Sequence, residues 1–272
     1  MQNLLAQAYI GNNQAQEGLG ALRRAAELTP ENEKLYAFVA DACADQEQYA
    51  LGLQVIDLGL KNLPDSARLH FQRGYFLSLL DQGDAAFLEW DKASGLAPET
   101  EIGFLSLAEK AFLQGNLGET IRVARDARAK GRDNFLLLAI LGESFIREGA
   151  LPGQPEFAEA QAALEKSVEQ KATYANARVT LGYSFLLQNR LSQAIEQFEM
   201  ARHLNPRNAE VYSRLAVAYK RAGRTAETEA ALAALSRLNA EQAARIYAAP
   251  GDTKAIPGAT PGAIPGAGAS RP

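Results

Sequence analysis

The chain has 272 residues, of which 47% are apolar and 22% are charged, and its formal net charge at pH 7 is -4. Acids and bases are interspersed and leave no basic surface, so we expect no nucleic-acid binding. The lone Cys43 excludes an internal disulfide and falls at an apolar position, where a buried thiol is expected. The sequence contains no apolar run long enough to cross a bilayer, so we predict no membrane span.

A regular period organises the sequence from its start. Pro30, Pro64 and Pro98 follow one another at equal intervals, and a constant interval of this length is the mark of a repeat architecture. Within each period, apolar residues recur at intervals of three and four on either side of a short break. This pattern predicts two antiparallel amphipathic helices in each unit.

Seven successive units carry a common pattern of large, small and aromatic residues. The sixth unit matches it best, with Leu181, Gly182, Phe185, Ala194, Phe198, Ala201 and Pro206. The pattern resembles the tetratricopeptide repeat over roughly residues 1–240. The resemblance implies an all-α fold, a right-handed α-solenoid (superhelix) of helix-turn-helix repeats.

We place the repeats in chain order and close the array with a short helix. The predicted repeats lie near residues 1–32, 33–66, 67–100, 101–134, 135–174, 175–208 and 209–240. A capping helix over 240–248, with Ile246 and Tyr247 packed on the last repeat, would complete an array of residues 1–248. The tail 249–272 is rich in proline, glycine and alanine, and we expect it to be disordered. Met1 falls inside the first predicted helix, which suggests a start further upstream or an excerpt.

Helix ends are marked at regular positions of the repeat. Residues suited to a left-handed helix end recur after the first helix of five units: Asn13, Gly115, Gly149, Asn189 and Gly223. Residues that can cap a helix N-terminus recur before the first helix: Asn32, Ser66, Thr100, Asn134 and Asn208, with Tyr174 as the exception. Gly182 and Ala194 predict a close approach of two helices, with Phe185 and Phe198 filling the space beside them.

The fifth unit contains six extra residues, within 150–156. Pro152 and Pro155 forbid helix continuation there, so we predict a loop between the two helices of that unit. The loop is either a tolerated insertion or a partner contact.

No catalytic pattern is found in the sequence. His70 and His203 have no cysteine or histidine at ligand spacing. No phosphate-binding loop occurs, and Gly18 and Gly20 lack the third glycine and the preceding strand of a dinucleotide site. We therefore predict a non-enzymatic protein with no catalytic residues, no cofactor and no metal site.

The resemblance implies a concave groove, lined by the first helix of each repeat, that holds a peptide or partner segment. The family's best-known version grips a carboxylate with lysine, asparagine and arginine. The corresponding positions here hold Asn3, Gln7, Phe38, Arg68 and Gln72, which disfavours that clamp.

The groove positions of this sequence are instead apolar with scattered acids. The predicted peptide-binding residues are Phe38, Asp41, Phe71, Tyr75, Leu105, Glu109, Phe112, Ile140 and Glu143, and the same phase continues to Thr180 and Tyr183. We predict that repeats two to five hold a segment with hydrophobic anchors and a few basic groups. The alternative is that these side chains fill contacts between adjacent helices.

We therefore predict a non-catalytic scaffold with an unidentified protein or peptide partner. Three alternatives stay open: the substrate-recognition arm of a larger enzyme, an assembly or secretion accessory protein of the bacterial envelope, and a self-assembling array. We expect a monomer or weak self-association. The cytoplasm is the default compartment, and an export signal upstream of Met1 would make it the periplasm or envelope.

Overall fold

A computed structural model describes residues 2–12 and 14–248, and fourteen α-helices account for almost all of these residues. The helices are α1 (Gln2–Gly11), α2 (Ala15–Leu28), α3 (Glu33–Asp45), α4 (Tyr49–Asn62), α5 (Ala67–Leu79), α6 (Gly83–Leu96), α7 (Glu101–Leu113), α8 (Leu117–Ala129), α9 (Phe135–Arg147), α10 (Pro155–Gln170), α11 (Ala175–Leu187), α12 (Leu191–Leu204), α13 (Ala209–Arg221) and α14 (Thr225–Ala248). The expectations for Asn13 and for the tail 249–272 lie outside the described residues, as do those for the side chains of Asn3, Gln7, Ile246 and Tyr247.

The helices pack in chain order and form two layers. Each helix contacts the next one, and each odd-numbered helix from α1 to α11 also contacts the next odd-numbered helix. The even-numbered helices of the described part have no comparable contacts with each other. The layer whose members lie closer together is the inner layer of a curved stack, so the odd-numbered helices line the concave side. This arrangement confirms the predicted all-α solenoid.

Large side chains are buried against small ones where helices cross. Phe198 and Trp90 are almost fully buried. A Cβ atom on Gly182 would come within 2.7 Å of the Phe198 ring, and one on Gly74 within 2.5 Å of the Trp90 ring. The predicted close approach at Gly182 is therefore confirmed, and Ala194 is fully buried beside it.

The inner helices end in left-handed backbone at four predicted positions. They also do so at two positions that were not predicted. Gly115, Gly149, Asn189 and Gly223 have φ values of 75°, 95°, 60° and 73°. Glu47 and Asp81 occupy the same phase of the second and third units, with φ values of 55° and 58°. The conformation is thus set by the repeat geometry, since three residues with a Cβ atom, Glu47, Asp81 and Asn189, also adopt it.

Four of the predicted N-caps make the expected hydrogen bond. The side chains of Ser66, Thr100, Asn134 and Asn208 accept from backbone N–H groups of the helices that follow them. Asn32 does not, which corrects the expectation at that position, and Tyr174 makes no cap either.

A second polar contact fixes the start of four inner helices. One side chain in the first turn bonds the carbonyl oxygen six residues earlier, and we call this contact a tether. The tethers join Tyr36 to Pro30 (3.0 Å), His70 to Pro64 (2.9 Å), Arg178 to Ala172 (2.7 Å) and Tyr212 to Pro206 (2.9 Å). Phe104 and Leu138 occupy this phase in the fourth and fifth units and have no polar atom to offer.

The two irregular regions of the array differ from each other. The extra residues of the fifth unit form a loop at 148–154 between α9 and α10, as predicted, with Pro155 in the first turn of α10. The segment 240–248 does not form a separate capping helix but continues α14. The reason is local, since no glycine or proline interrupts residues 225–248.

None of the helices in the described ranges combines the length and the apolar character that crossing a membrane requires.

Candidate functional site

The candidate site is the concave surface formed by α3, α5, α7, α9, α11 and α13, which we call the inner wall. All nine predicted binding residues lie on its first four helices. Phe38 and Tyr75 are 45% and 39% exposed, whereas Phe71, Leu105 and Ile140 are only 8%, 1% and 6% exposed.

The three buried residues belong to the central hydrophobic cluster of the array. Phe71 and Leu105 stand at one phase of successive repeats, and at this phase the side chain enters the contact between neighbouring helices. Both residues therefore fill contacts between adjacent helices, which is the alternative that the sequence left open. They offer little surface to a partner.

A polar contact joins the first two helices of the predicted groove. The Gln72 side-chain amide donates to Asp41 Oδ1 at 2.9 Å and approaches the Ala37 carbonyl oxygen at 3.4 Å. Asp41 therefore bonds from α3 to α5, beside Phe38 and Tyr75. Its contacts help to fix the spacing of the inner wall here.

Glu109 and Glu143, which we call the acid pair, stand at equivalent positions of α7 and α9, one repeat period apart. Removal of water in the concavity, and then the charge of Glu143, raise the pKa of Glu109 to about 7. Part of the Glu109 side chain still reaches solvent, but the inner wall surrounds its carboxylate. Desolvation also raises the pKa of Glu143, with Arg147 opposing the rise and Glu210 adding to it.

Tyr174, just before α11, lies within electrostatic range of the acid pair. Burial raises the pKa of its hydroxyl, and the nearby Glu109, Tyr75 and Glu143 add to the rise, while a hydrogen bond with Asn176 opposes it. Tyr75, Glu109, Glu143 and Tyr174 therefore share one environment, although they come from different helices and turns. Tyr174 had attracted notice in the sequence only as a missing cap.

Two arginines lie over aromatic rings further along the inner wall. The guanidinium of Arg147 is 4.6 Å from the centre of the Phe112 ring, and that of Arg214 is 4.0 Å from the centre of the Tyr183 ring. Each arginine also pairs with a glutamate one turn earlier on its own helix, Arg147 with Glu143 at 3.7 Å and Arg214 with Glu210 at 3.1 Å. Sequence reasoning missed Arg147, Glu210 and Arg214. Arg214 lies one repeat period after Thr180, so applying the groove phase to the next unit would have identified it.

A pocket of about 390 Å³ opens between α9, α11 and α13, and we call it the groove pocket. Its lining consists of Glu143, Ile146, Arg147, Val179, Thr180, Tyr183, Glu210 and Arg214. Ile146, Val179 and the Tyr183 ring give it apolar surface, and the charged groups surround that surface. Such a mixture suits an apolar side chain of a ligand, with polar groups to orient it. The pocket belongs to the last three units, whereas the sequence placed the site in units two to five.

Distant parts of the chain also meet at a second cavity. A space of about 270 Å³ is lined by Glu47 and Tyr49 from the α3–α4 region and by Arg207, Ala209, Leu238, Glu241 and Gln242 from the end of the array. The stack thus curves far enough to bring its second and last units next to each other.

The buried ionisable groups elsewhere have structural partners. His70 lies 2.6 Å from Glu89 through Nδ1, and Arg73 bridges Glu89 and Asp57 at 2.6 and 2.8 Å. Burial raises the pKa of the Cys43 thiol to about 12, which makes it a poor nucleophile. No group of three or more histidine, cysteine or acidic residues in the described ranges is placed to hold a metal ion.

Comparisons with known proteins agree with this architecture. The family model described as TPR repeat matches residues 182–223. The fold is similar to the crystal structure of the APC/C hetero-tetramer Cut9-Hcn1, with a TM-score of 0.66 and 17% identity over 82% of this chain and 43% of that chain. This chain therefore spans less than half the length of that relative.

Two bacterial structures are matched over most of their length. A tetratricopeptide repeat protein from Parabacteroides merdae has a TM-score of 0.60 and 18% identity over 80% of this chain and 82% of its own. TTC0263, a thermophilic TPR protein from Thermus thermophilus, has a TM-score of 0.54 and 20% identity over 67% of this chain and 100% of its own. No curated protein sequence matches the chain. The regular period, the paired helices and these matches together show that the chain folds as an array of repeats of the tetratricopeptide type.

Proposed function

We propose that this protein is a non-catalytic scaffold that binds a peptide or an extended segment of a partner protein along its inner wall. Tetratricopeptide-repeat proteins are generally protein-interaction scaffolds, and their fold is typically non-catalytic. The observation that carries the proposal is the groove pocket, where apolar surface and oriented charges meet on the concave side.

The composition of the pocket supports binding of a side chain rather than a structural role alone. Tyr183 is held in place by the Arg214 guanidinium, and Arg147 is held by Phe112 and Glu143. Groups that are already fixed lose little conformational entropy when a ligand arrives. An apolar side chain of the ligand would pack on Ile146, Val179 and Tyr183. The charged groups around it would disfavour ligands whose adjacent residues do not match them in charge.

Further aromatic surface lies on the same wall. Phe38 and Tyr75 are both more than a third exposed, and aromatic residues often supply much of the energy of an interface. A partner segment that runs along the inner wall could contact this surface and the groove pocket together.

Selection from a phage library of random dodecapeptides on the immobilised full-length chain tests the proposal. We expect enriched peptides whose binding is lost in Tyr183→Ala, because this change removes the aromatic side of the groove pocket. The matched control is Leu88→Ala, which removes an exposed apolar side chain from α6 in the outer layer. Retained binding in Tyr183→Ala, or equal losses in both variants, would contradict the groove as the binding site. Circular dichroism of both variants verifies that their helical content is unchanged.

A further inference from the structure

We propose that the acid pair of the inner wall receives a lysine or arginine side chain of the partner, so that the scaffold selects basic segments. This inference rests on the proposed function of the inner wall and names the chemistry of its occupant. It is carried by the charge of the concave surface at the junction of α7, α9 and the turn before α11.

The acid pair has less compensation than the other carboxylates of the inner wall. Among the described residues, Glu109 makes no hydrogen bond or ion pair, and the neighbouring Lys110 bonds Asp91 at 2.6 Å. Glu143 has Arg147 at 3.7 Å, a long contact for an ion pair. The site therefore contains two carboxyl groups and one cation.

The titratable and charged groups around the acid pair come from neighbouring elements. They are Tyr75 from α5, Glu143 with Arg147 from α9, and Tyr174 from the turn before α11. On α6, Asp91 pairs with Lys110, and on α8 the arginines Arg122 and Arg125 pair with Glu119 and Glu159. Arg147 is the cation next to the acid pair, and it contacts Glu143.

A cation between the two carboxylates would relieve an unfavourable arrangement. Poor access of water raises the pKa of both carboxyl groups, and the charge of Glu143 adds to the rise at Glu109. An ammonium or guanidinium group replaces the lost water and offsets the charge of the carboxylates. A neutral or acidic side chain offers none of these gains.

The acid pair is continuous with the groove pocket, since Glu143 belongs to both. A bound segment can therefore place a basic side chain on the acid pair while an apolar side chain close to it in sequence enters the groove pocket. The occupant is then a peptide in which a lysine or arginine stands near an apolar residue.

The selected peptides provide the first test. Sequences enriched by the wild-type chain, relative to the starting library, should carry lysine or arginine near an apolar residue. The strongest of these peptides, labelled with fluorescein, is then compared by polarisation with an analogue in which norleucine replaces the basic residue. We expect the analogue to bind about tenfold more weakly, since a hydrogen-bonded charge is lost.

Variants of the chain provide the second test. Glu109→Gln and Glu143→Gln should each reduce the preference for the basic peptide over its norleucine analogue. The control Glu229→Gln changes the same charge on the exposed side of α14 and should leave the preference intact. The preference should also decline as the pH falls from about 8 to about 6, because Glu109 becomes protonated over this interval.

The two proposals fail in distinguishable ways. Three results would overturn the basic occupant but leave the scaffold function standing. They are groove-dependent peptides without basic residues, equal binding of the peptide and its analogue, and an unchanged preference in Glu109→Gln. Absence of any enrichment that depends on Tyr183 would overturn both.

Discussion

The ring of Phe198 lies directly against Gly182, so that a Cβ atom on the glycine would come within 2.7 Å of the ring carbon Cε1. Both residues stand where α11 and α12 pack together, and Phe198 is fully buried. A methyl group at this position must push the ring or the helix aside.

We expect Gly182→Ala to lower the free energy of unfolding by about 1–3 kcal/mol through overpacking. The control is Gly95→Ala in α6, where an added Cβ meets nothing within 4 Å. That change should be neutral or stabilise the protein by up to ~1 kcal/mol, because alanine favours helix more than glycine does. Urea unfolding followed by circular dichroism measures both, and equal effects would contradict the close approach.

The tether of α13 predicts a loss of stability on removal of a single oxygen. Tyr212→Phe deletes the hydroxyl that donates to the Pro206 carbonyl oxygen, which should cost about 0.5–1.5 kcal/mol. Tyr183→Phe is the matched control, since that hydroxyl makes no hydrogen bond within the described ranges, and a change within ~0.5 kcal/mol is expected. The two variants are compared by their urea midpoints, and indistinguishable values would mean that the tether contributes nothing.

The N-cap of α9 allows a comparison between two asparagines. Asn134 accepts from the Leu137 N–H at 2.9 Å, whereas Asn32 makes no such bond at the start of α3. Asn134→Ala should therefore destabilise the protein by about 0.5–2 kcal/mol, and Asn32→Ala should have a smaller effect. Thermal unfolding of the two variants measures the difference, and a larger loss in Asn32→Ala would refute this account of the helix ends.

The acid pair predicts a pH-dependent benefit from removing one charge. Burial and Glu143 raise the pKa of Glu109 from 4.5 to about 7, so the folded state resists its ionisation. This raised value makes the ionised carboxylate unfavourable for folding, and the penalty grows as the pH rises from 4.5 to about 7. Glu109→Gln should therefore gain stability relative to the wild type across this interval, with the gain constant above it.

Urea unfolding at several pH values measures this difference in free energy. Glu229→Gln is again the control and should show a flat difference over the same interval. A Glu109→Gln curve that runs parallel to the wild type throughout would show that Glu109 titrates normally.

Much of the fold could be predicted because its signals are local and periodic. The equally spaced prolines, the small residue Gly182 and the caps at Ser66 and Asn134 all act within one unit or between neighbours. Glu47 was missed because glutamate rarely adopts left-handed backbone, and Asp81 because only glycine and asparagine were taken as marks of a helix end. Both residues lie at the same phase of the repeat as Gly115. Applying that phase to every unit, whatever the residue type, would have identified them.

The candidate site was less predictable because the repeat phase identifies a helix face but not the tilt of the neighbouring helix. Phe71 and Leu105 lie on the correct helices, yet the adjacent packing buries them. The stacking of Arg214 on Tyr183 joins positions that are not equivalent in the repeat. Such contacts depend on the curvature of the whole stack, which no single unit encodes.

The tethers are distributed unevenly, and this affects how the stack can move. Side chains close the turns before α3, α5, α11 and α13, while the turns before α7 and α9 lack that closure. The turns before α7 and α9 have instead the caps of Thr100 and Asn134, which the turns before α3 and α11 lack. Among the described turns, those before α5 and α13 carry both a cap and a tether, so local opening should cost most there and their amides should exchange most slowly.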